Sequence, residues 1–417
     1  MQQYSLNLIL TKERMVLRKL FLPLLAFVCL HPISGFSQLQ LNGSIDFEIS
    51  SAGDDSRFIT NGVPNDFRKL NLAVTQLNAF LFAPISDEFF FESRIQLDTW
   101  GSGNLNLPRI ALATLTWDNP ANDYIIKLGR FVSPFGFYPK RQLSTERIFI
   151  NTPLGYSYFT NISDIRGYWP QAGQNTNEEY QVGDVGLSTI YFGGYTTGVG
   201  TTWEVSADKV FLDFAITNGT PITIRDRSTL PNIAGIARLQ INPSIYWNQG
   251  FSVSYGNFLQ ADPLNESVRE DNNFQKYTQL LLGIDTKLAF TFFEIVGEAI
   301  YSNWNVPGFI GNSFDTDNNN SLRNYSLSNL SGNIDIKYEP PSFTGGFVAL
   351  RAEHLLFFDA EDPQTNSTFT WDENVSRLTG VVGYKLSRNI LAKAAFSEQG
   401  NFDGNEYTFR LLISAFF

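Results

Sequence analysis

The sequence predicts an all-β protein: a transmembrane antiparallel β-barrel of about 16 strands, with short periplasmic turns and long extracellular loops. Three observations predict it. Stretches of about ten residues alternate apolar and polar side chains along the whole chain. The segments that join them alternate between short and long. The chain stops at an aromatic residue, Phe417, inside its last alternating stretch.

The alternation is clearest at 406–417. Tyr407, Phe409, Leu411, Ile413, Ala415 and Phe417 face one way, and Glu406, Thr408, Arg410 and Ser414 the other. In a membrane barrel the apolar face meets lipid and the polar face lines the lumen. The same split sets Glu92, Arg94, Gln96 and Asp98 against Phe89, Phe91, Ile95 and Leu97, and Arg351 and Glu353 against Val348, Leu350 and Leu356. It also sets Arg377, Thr379 and Lys385 against Leu378, Val382 and Tyr384. Acids and bases sharing one face would be costly in a dry sandwich core.

Followed along the chain, the period gives strands at 39–49, 69–82, 88–99, 107–117, 123–132, 184–194, 203–218, 232–242, 245–257, 275–289, 291–303, 328–339, 343–357, 375–386, 389–399 and 405–417. Arg94, Asp98, Lys127, Arg351, Glu353 and Arg377 fall on the lumen face, as do the acids Glu92, Asp213, Asp285, Glu294, Glu298 and Asp335. Aromatics near strand ends, among them Trp100, Trp117, Tyr124, Trp247, Tyr301, Trp304, Tyr338 and Trp371, are read as girdles at the two membrane interfaces.

The connections give the orientation. Residues 83–87, 118–122, 242–244, 339–342 and 386–389 are short, whereas 50–68, 133–183, 258–274, 304–327 and 358–374 are long. Outer-membrane barrels keep short turns on the periplasmic side and long loops outside. An even strand count puts both termini on the periplasmic side. A terminal aromatic strand also resembles the signal by which outer-membrane proteins are recognised for assembly.

Residues 1–37 read as a secretion signal. Arg18 and Lys19 precede the apolar run Leu20–Leu30, and Ser34-Gly35-Phe36-Ser37 offers a cut after Ser37. Met15 is a candidate true start. Cys29 lacks the small residue that lipidation needs before it, because Val28 stands there. Residues 38–417 then form one barrel, with 26 basic and 40 acidic residues, a net charge of −14 and no cysteine. That charge argues against nucleic acid as a partner and leaves outer-membrane lipid and small solutes or ions. No later segment approaches 18 consecutive apolar residues, so no transmembrane helix is expected.

Chemistry-bearing motifs are scarce. After residue 37 the one histidine is His354, on the predicted lipid face. No histidine pair or cysteine cluster offers a metal site. Asp315–Asn320 has the spacing of a calcium-loop start but lacks its central glycine and its final glutamate, so a polar external loop is expected. Catalytic residues, metal and cofactor are therefore all read as none, and the protein as no enzyme.

The longest connection, 133–183, is rich in Phe, Tyr, Trp and Pro and carries Lys140, Arg141, Arg147 and Arg166 beside Asp164, Glu178 and Glu179. A loop this long and aromatic is expected to fold, tuck into the lumen and narrow it. Its four basic residues are the predicted constriction, biased toward anions.

Gly129-Arg130-Phe131 with Pro134-Phe135-Gly136, then Asp184-Val185-Gly186-Leu187, then Phe214-Ala215-Ile216-Thr217-Asn218-Gly219, resemble the phosphate-selective porin O/P-type family. The motifs cover about residues 120–220 and the layout covers the whole chain. The resemblance implies a 16-stranded channel, a homotrimer and a pore lined by basic residues. The acidic lumen departs from that pattern. The Ser37-Gln38 junction resembles exported proteins of Bacteroidetes-type bacteria. The expected function is passive diffusion of small solutes or ions. A transporter of hydrophobic compounds and a non-conducting structural or secretion-accessory barrel are the alternatives.

Overall fold

The computed structural model describes residues 39–52, 70–99, 108–119, 121, 123–170, 186–190, 194–221, 233–259, 276–311, 313–317, 322–401 and 404–417. The predicted signal, residues 1–37, lies outside them, as do Trp100, Glu178, Glu179, Asp184-Val185 and Asn318–Asn320.

Sixteen antiparallel strands close into one barrel, each paired with its sequence neighbours. They are β1 (Gln40–Ala52), β2 (Asn71–Pro84), β3 (Phe89–Asp98), β4 (Arg109–Asn119), β5 (Tyr124–Val132), β6 (Tyr195–Ser206), β7 (Val210–Thr217), β8 (Ala234–Ser244), β9 (Trp247–Asn257), β10 (Thr278–Phe290), β11 (Phe293–Pro307), β12 (Asn324–Tyr338), β13 (Gly346–Phe357), β14 (Val375–Ser387), β15 (Ile390–Asn401) and β16 (Gly404–Phe416). The seam is closed by β1 and β16, in register from Ser44 opposite Phe416 to Ala52 opposite Thr408. Closure leaves no unpaired sheet edge, which is what allows strands to cross lipid. No helix among the described residues is long and apolar enough to do so.

The period of two works in the inverted sense. On β16, Tyr407, Phe409 and Ile413 are exposed on the outside, while Thr408, Arg410, Leu412 and Ser414 are buried within. Apolar side chains stand exposed around the barrel, from Phe47 and Phe214 to Ile284, Leu350 and Phe396. In water so much exposed apolar surface would aggregate; in lipid it is the solvated face.

The turns explain the alternation of connection lengths. Thr291 and Asp208 adopt positive φ, 50° and 58°, which lets two- and three-residue turns join β10 to β11 and β6 to β7. Stacked aromatics mark this rim: Phe89 on Trp117 at 6.0 Å, Phe293 on Tyr338 at 4.6 Å and Phe343 on Tyr384 at 5.3 Å.

Three expectations need correction. No strand forms within the described part of 184–194; Gly186–Ile190 belongs to the long connection, where Leu187, Ser188, Thr189 and Ile190 are buried. The stretch 203–218 is not one strand but the end of β6, a turn at Ala207–Lys209, and β7. Its apolar and polar spacing continues through the turn, so the period alone did not show the reversal. Trp304 and Trp371 are not girdle residues. They pack edge to face at 5.8 Å, 0% and 1% exposed, in a core formed by the extracellular loops.

Candidate functional site

The long connection between β5 and β6 enters the barrel. Its ends meet where Ser133 N–H donates to the Gly194 carbonyl at 2.8 Å. Phe135 fills a buried cluster with Phe131, Ile236, Leu281 and Ile300. It fits because Gly283 on β10 has no side chain: a Cβ there would meet the Phe135 ring at 2.9 Å. Gly136, at φ +73°, turns the chain into the lumen. Ser252 Oγ then accepts from Gly136 N–H at 3.1 Å and Glu298 Oε1 from Phe137 N–H at 2.7 Å. Tyr156 O–H donates to the same Glu298 oxygen at 2.9 Å.

The next segment crosses to the opposite wall. Ser144 O–H donates to Asp46 on β1 at 2.6 Å, and Lys393 on β15 donates to the Ser144 and Arg147 carbonyls. Ile148, Phe149 and Ile150 pack on Phe347, Ala349, Val381 and Leu391 near the periplasmic end. The chain then climbs back. Arg351 donates to the Asn151 carbonyl at 3.0 Å, Arg377 to the Thr152 carbonyl at 2.5 Å, and Leu154 N–H to Glu353 at 2.8 Å.

These wall charges are paired with one another as well. Arg238 grips Asp285 at 2.5 and 2.8 Å, Arg351 grips Asp335 at 2.6 Å through two nitrogens, and Arg410 grips Glu48 at 2.6 and 2.7 Å. Arg377 meets Glu353 at 2.7 Å with both side chains 0% exposed. Away from water an ion pair holds only if its remaining hydrogen-bond capacity is used. For Arg351, Arg377, Glu353 and Arg410, groups of the inward loop use it.

Above the lumen the loop joins an extracellular dome. Tyr158 O–H and Asn161 N–H each donate to Asp372 at 2.8 Å. Burial pushes the Asp372 carboxyl up to about 6. Around this junction Trp304, Trp371, Phe357, Tyr277 and Leu322 form a dry core.

The predicted constriction residues separate. Arg166 stands in the dome, its guanidinium 4.2 Å over the Trp169 ring and 5.4 Å over Phe309, away from the lumen crossing. Arg141 is in the lumen but paired with Glu294 at 2.6 Å and stacked on Phe137 at 4.6 Å. Lys140 is exposed, with Gln240 at 3.3 Å. Arg147 is half-buried, makes no ion pair among the described residues, and lines a narrow cavity with Arg141, Arg351 and Asn333. Of the predicted lumen residues, Arg351, Glu353 and Arg377 lie beneath the loop and touch it rather than water. Arg94 reaches Tyr195 and Gln96, and Asp98 pairs with Arg109. Lys127 is inward and half-buried. His354 faces outward, with Ser376 Oγ 2.8 Å from its Nδ1. Asp315 of the calcium-like segment is engaged by Arg323 and Tyr325, each at 3.2 Å.

The site is therefore asymmetric. The crossing loop covers β8–β14 and straps β15 to β1. The loop presents two exposed charges: Lys140, which reaches Gln240 on β8 and lies within electrostatic reach of Lys127, and Glu146, toward Arg94 on the uncovered wall of β2–β5. The wall presents Glu92, Arg94 and Lys127; Glu92 lies within electrostatic reach of Lys127, and Arg94 within reach of Glu146 and Arg147. The anchoring role of Glu298, Lys393 and Ser144 was not legible: the pattern placed Glu298 on the lumen face but gave no hint of what it would bind.

Several solved structures share this architecture. The outer membrane channel DcaP of Acinetobacter baumannii is 15% identical, with a TM-score of 0.56 over 91% of this chain and 97% of that one. The anion-selective porin from Comamonas acidovorans is 10% identical, at 0.55 over 91% and 99%. OmpT of Vibrio cholerae in its trimer form is 8% identical, at 0.54 over 91% and 99%. The chain has the fold of the outer-membrane porins. No protein-family model matches it, and no curated protein does. At these identities the likeness is one of fold.

Proposed function

We propose that the protein is an outer-membrane channel for passive diffusion of small solutes or ions, with a weak preference for anions. The observation that carries this reading is solvent-accessible charge on the inward loop and on the β2–β5 wall, in a lumen whose Arg351, Glu353, Arg377 and Arg410, on β13–β16, are dry and paired. Lys127 and Glu92 are half-exposed on the wall, and Lys140 and Glu146 are exposed on the loop. Fixed charge at a constriction biases which ion enters. Arg141 and Arg166, with partners of their own, contribute less. The phosphate preference implied by the family resemblance is not carried over, because most of the lumenal arginines are neutralised by carboxylates. No reaction is proposed, and the trimer form of OmpT of Vibrio cholerae supports a homotrimer.

The test is single-channel current of the refolded, heat-modifiable protein in a planar bilayer, with the reversal potential in a salt gradient. Steady current with anion preference, lost in Lys127→Glu/Lys140→Glu, supports the reading. A folded barrel that carries no current sinks it.

A further inference from the structure

The uncovered wall carries side chains that a water-filled lumen does not explain. Porin interiors are polar, yet β2 and β3 turn three phenylalanines inward. Phe80 pairs across the ladder with Arg94 and Phe82 with Glu92, so both share the inward face, and Phe90 lies two residues before Glu92. All three are half-exposed rather than packed away. The Phe82 and Phe90 rings are 5.5 Å apart, and Phe416, inward from β16, is 5.9 Å from Phe80. Among the described residues of the loop, which supplies apolar cover to the opposite wall, none belongs to a buried cluster with these rings.

The ladder places a cation beside this patch. Phe90 stands opposite Thr116, and Thr116 opposite Lys127, so the three occupy one row across β3, β4 and β5. Strands lie about 4.8 Å apart, which sets the Phe90 and Lys127 backbones about 10 Å apart, well within reach of a lysine side chain. Thr116 is 1% exposed and its hydroxyl has no partner among the described residues. Lys127 makes no ion pair among them, and the next position in the row is Gly200, over which the Phe131 ring lies. The Arg94 guanidinium lies 5.7 Å from the Phe80 ring centre, a second cation at the edge of the patch.

An apolar, half-wet surface beside an ammonium that makes no ion pair among the described residues, with Glu92 in its electrostatic reach, matches a solute with those two parts. We propose that Phe82, Phe90 and Lys127 form a subsite for aromatic carboxylates, the ring lying on the phenylalanines and the carboxylate meeting the lysine. Stacking of ring on ring adds to area burial, and the ammonium supplies a charge-assisted hydrogen bond. This rests on the channel reading for its purpose, though not for the binding itself.

The test uses 4-fluorobenzoate and the refolded barrel in detergent, read by broadening of the ¹⁹F resonance. Broadening reversed by benzoate but not by equal acetate is expected. Binding should weaken about tenfold in Phe82→Ala/Phe90→Ala, and Lys127→Gln should remove the advantage of 4-fluorobenzoate over 4-fluorotoluene. If the alanine pair does not refold to a heat-modifiable barrel, Phe82→Leu/Phe90→Leu keeps the apolar volume without the rings and should weaken binding less. Equal competition by acetate, or unchanged binding in both pairs, overturns the subsite. In a bilayer the two readings part: binding without current sinks the channel and keeps the subsite, and current without binding does the reverse.

Discussion

Two walls of the same barrel use the same alphabet of lumenal charge in opposite ways. On β10–β16 and β1 every arginine that enters the lumen deeply is matched: Arg351 with Asp335, Arg377 with Glu353, Arg410 with Glu48. These pairs are dry and hold the inward loop, Arg351 and Arg377 by its backbone carbonyls and Arg410 by the Asn151 side chain. On β2–β5 Arg94 and Asp98 are as buried, but Glu92 and Lys127 are wetter, and Lys127 has no salt-bridge partner among the described residues. Lumen-facing charge is thus not one functional class. What separates the classes is whether the loop lies over it.

Removing a charge from each wall breaks the comparison most directly. Glu353→Ala leaves Arg377 buried without its partner and Leu154 N–H without its acceptor; a loss of about 3–5 kcal/mol is expected, read as a lower urea midpoint of the refolded barrel. Lys127→Ala, the counterpart on the open wall, should move that midpoint by no more than about 0.5 kcal/mol. Equal losses would show that the walls do not differ.

Glu298→Ala removes the acceptor shared by Phe137 N–H and Tyr156 O–H. It should cost about 1–3 kcal/mol and lower single-channel conductance, because the loop is freed to move toward the β2–β5 wall. A third contrast concerns selectivity. Lys127→Glu/Lys140→Glu should shift the reversal potential toward cations, whereas Arg166→Glu, in the dome, should leave it where it was.

The smallest effect is expected in the dome. Burial raises the Asp372 carboxyl to about 6, above the value near 4 of an unfolded chain. The folded dome therefore binds that proton more tightly than the opened one. Its stability from this group is fully present below pH 4 and is lost as pH rises through 6. Hydrogen exchange of 158–161 and 371–373 should quicken over that interval, and Asp372→Asn should flatten the dependence.

The barrel was legible from the sequence because lipid on one side and polar groups on the other impose a strict period of two, seen at Tyr407–Ser414 and Glu92–Asp98. Connection lengths gave the orientation. The sixth and seventh strands were misplaced because Thr202–Thr217 keeps alternating through the Asp208 turn. The site was less legible because its chemistry depends on contacts between distant segments. Nothing local distinguishes Lys127, which is half-exposed, from Lys393, which is sealed under the loop at 1% exposure. Likewise Arg166 and Arg147 look alike in sequence, but only the second lines the lumen.

The strap from Ser144 to Asp46 and Lys393, and from Asn151 to Arg410, has a consequence for the order of assembly. Residues 144–151 leave the ribosome long before β15 and β16 exist, and their binding groups on the first and last strands come together only when the seam shuts. Contacts of such sequence separation form late. The loop can seat only in a completed barrel, so its seating reports that closure has occurred. A chain halted with its seam unzipped would keep residues 144–151 within reach of a protease added from the periplasmic side.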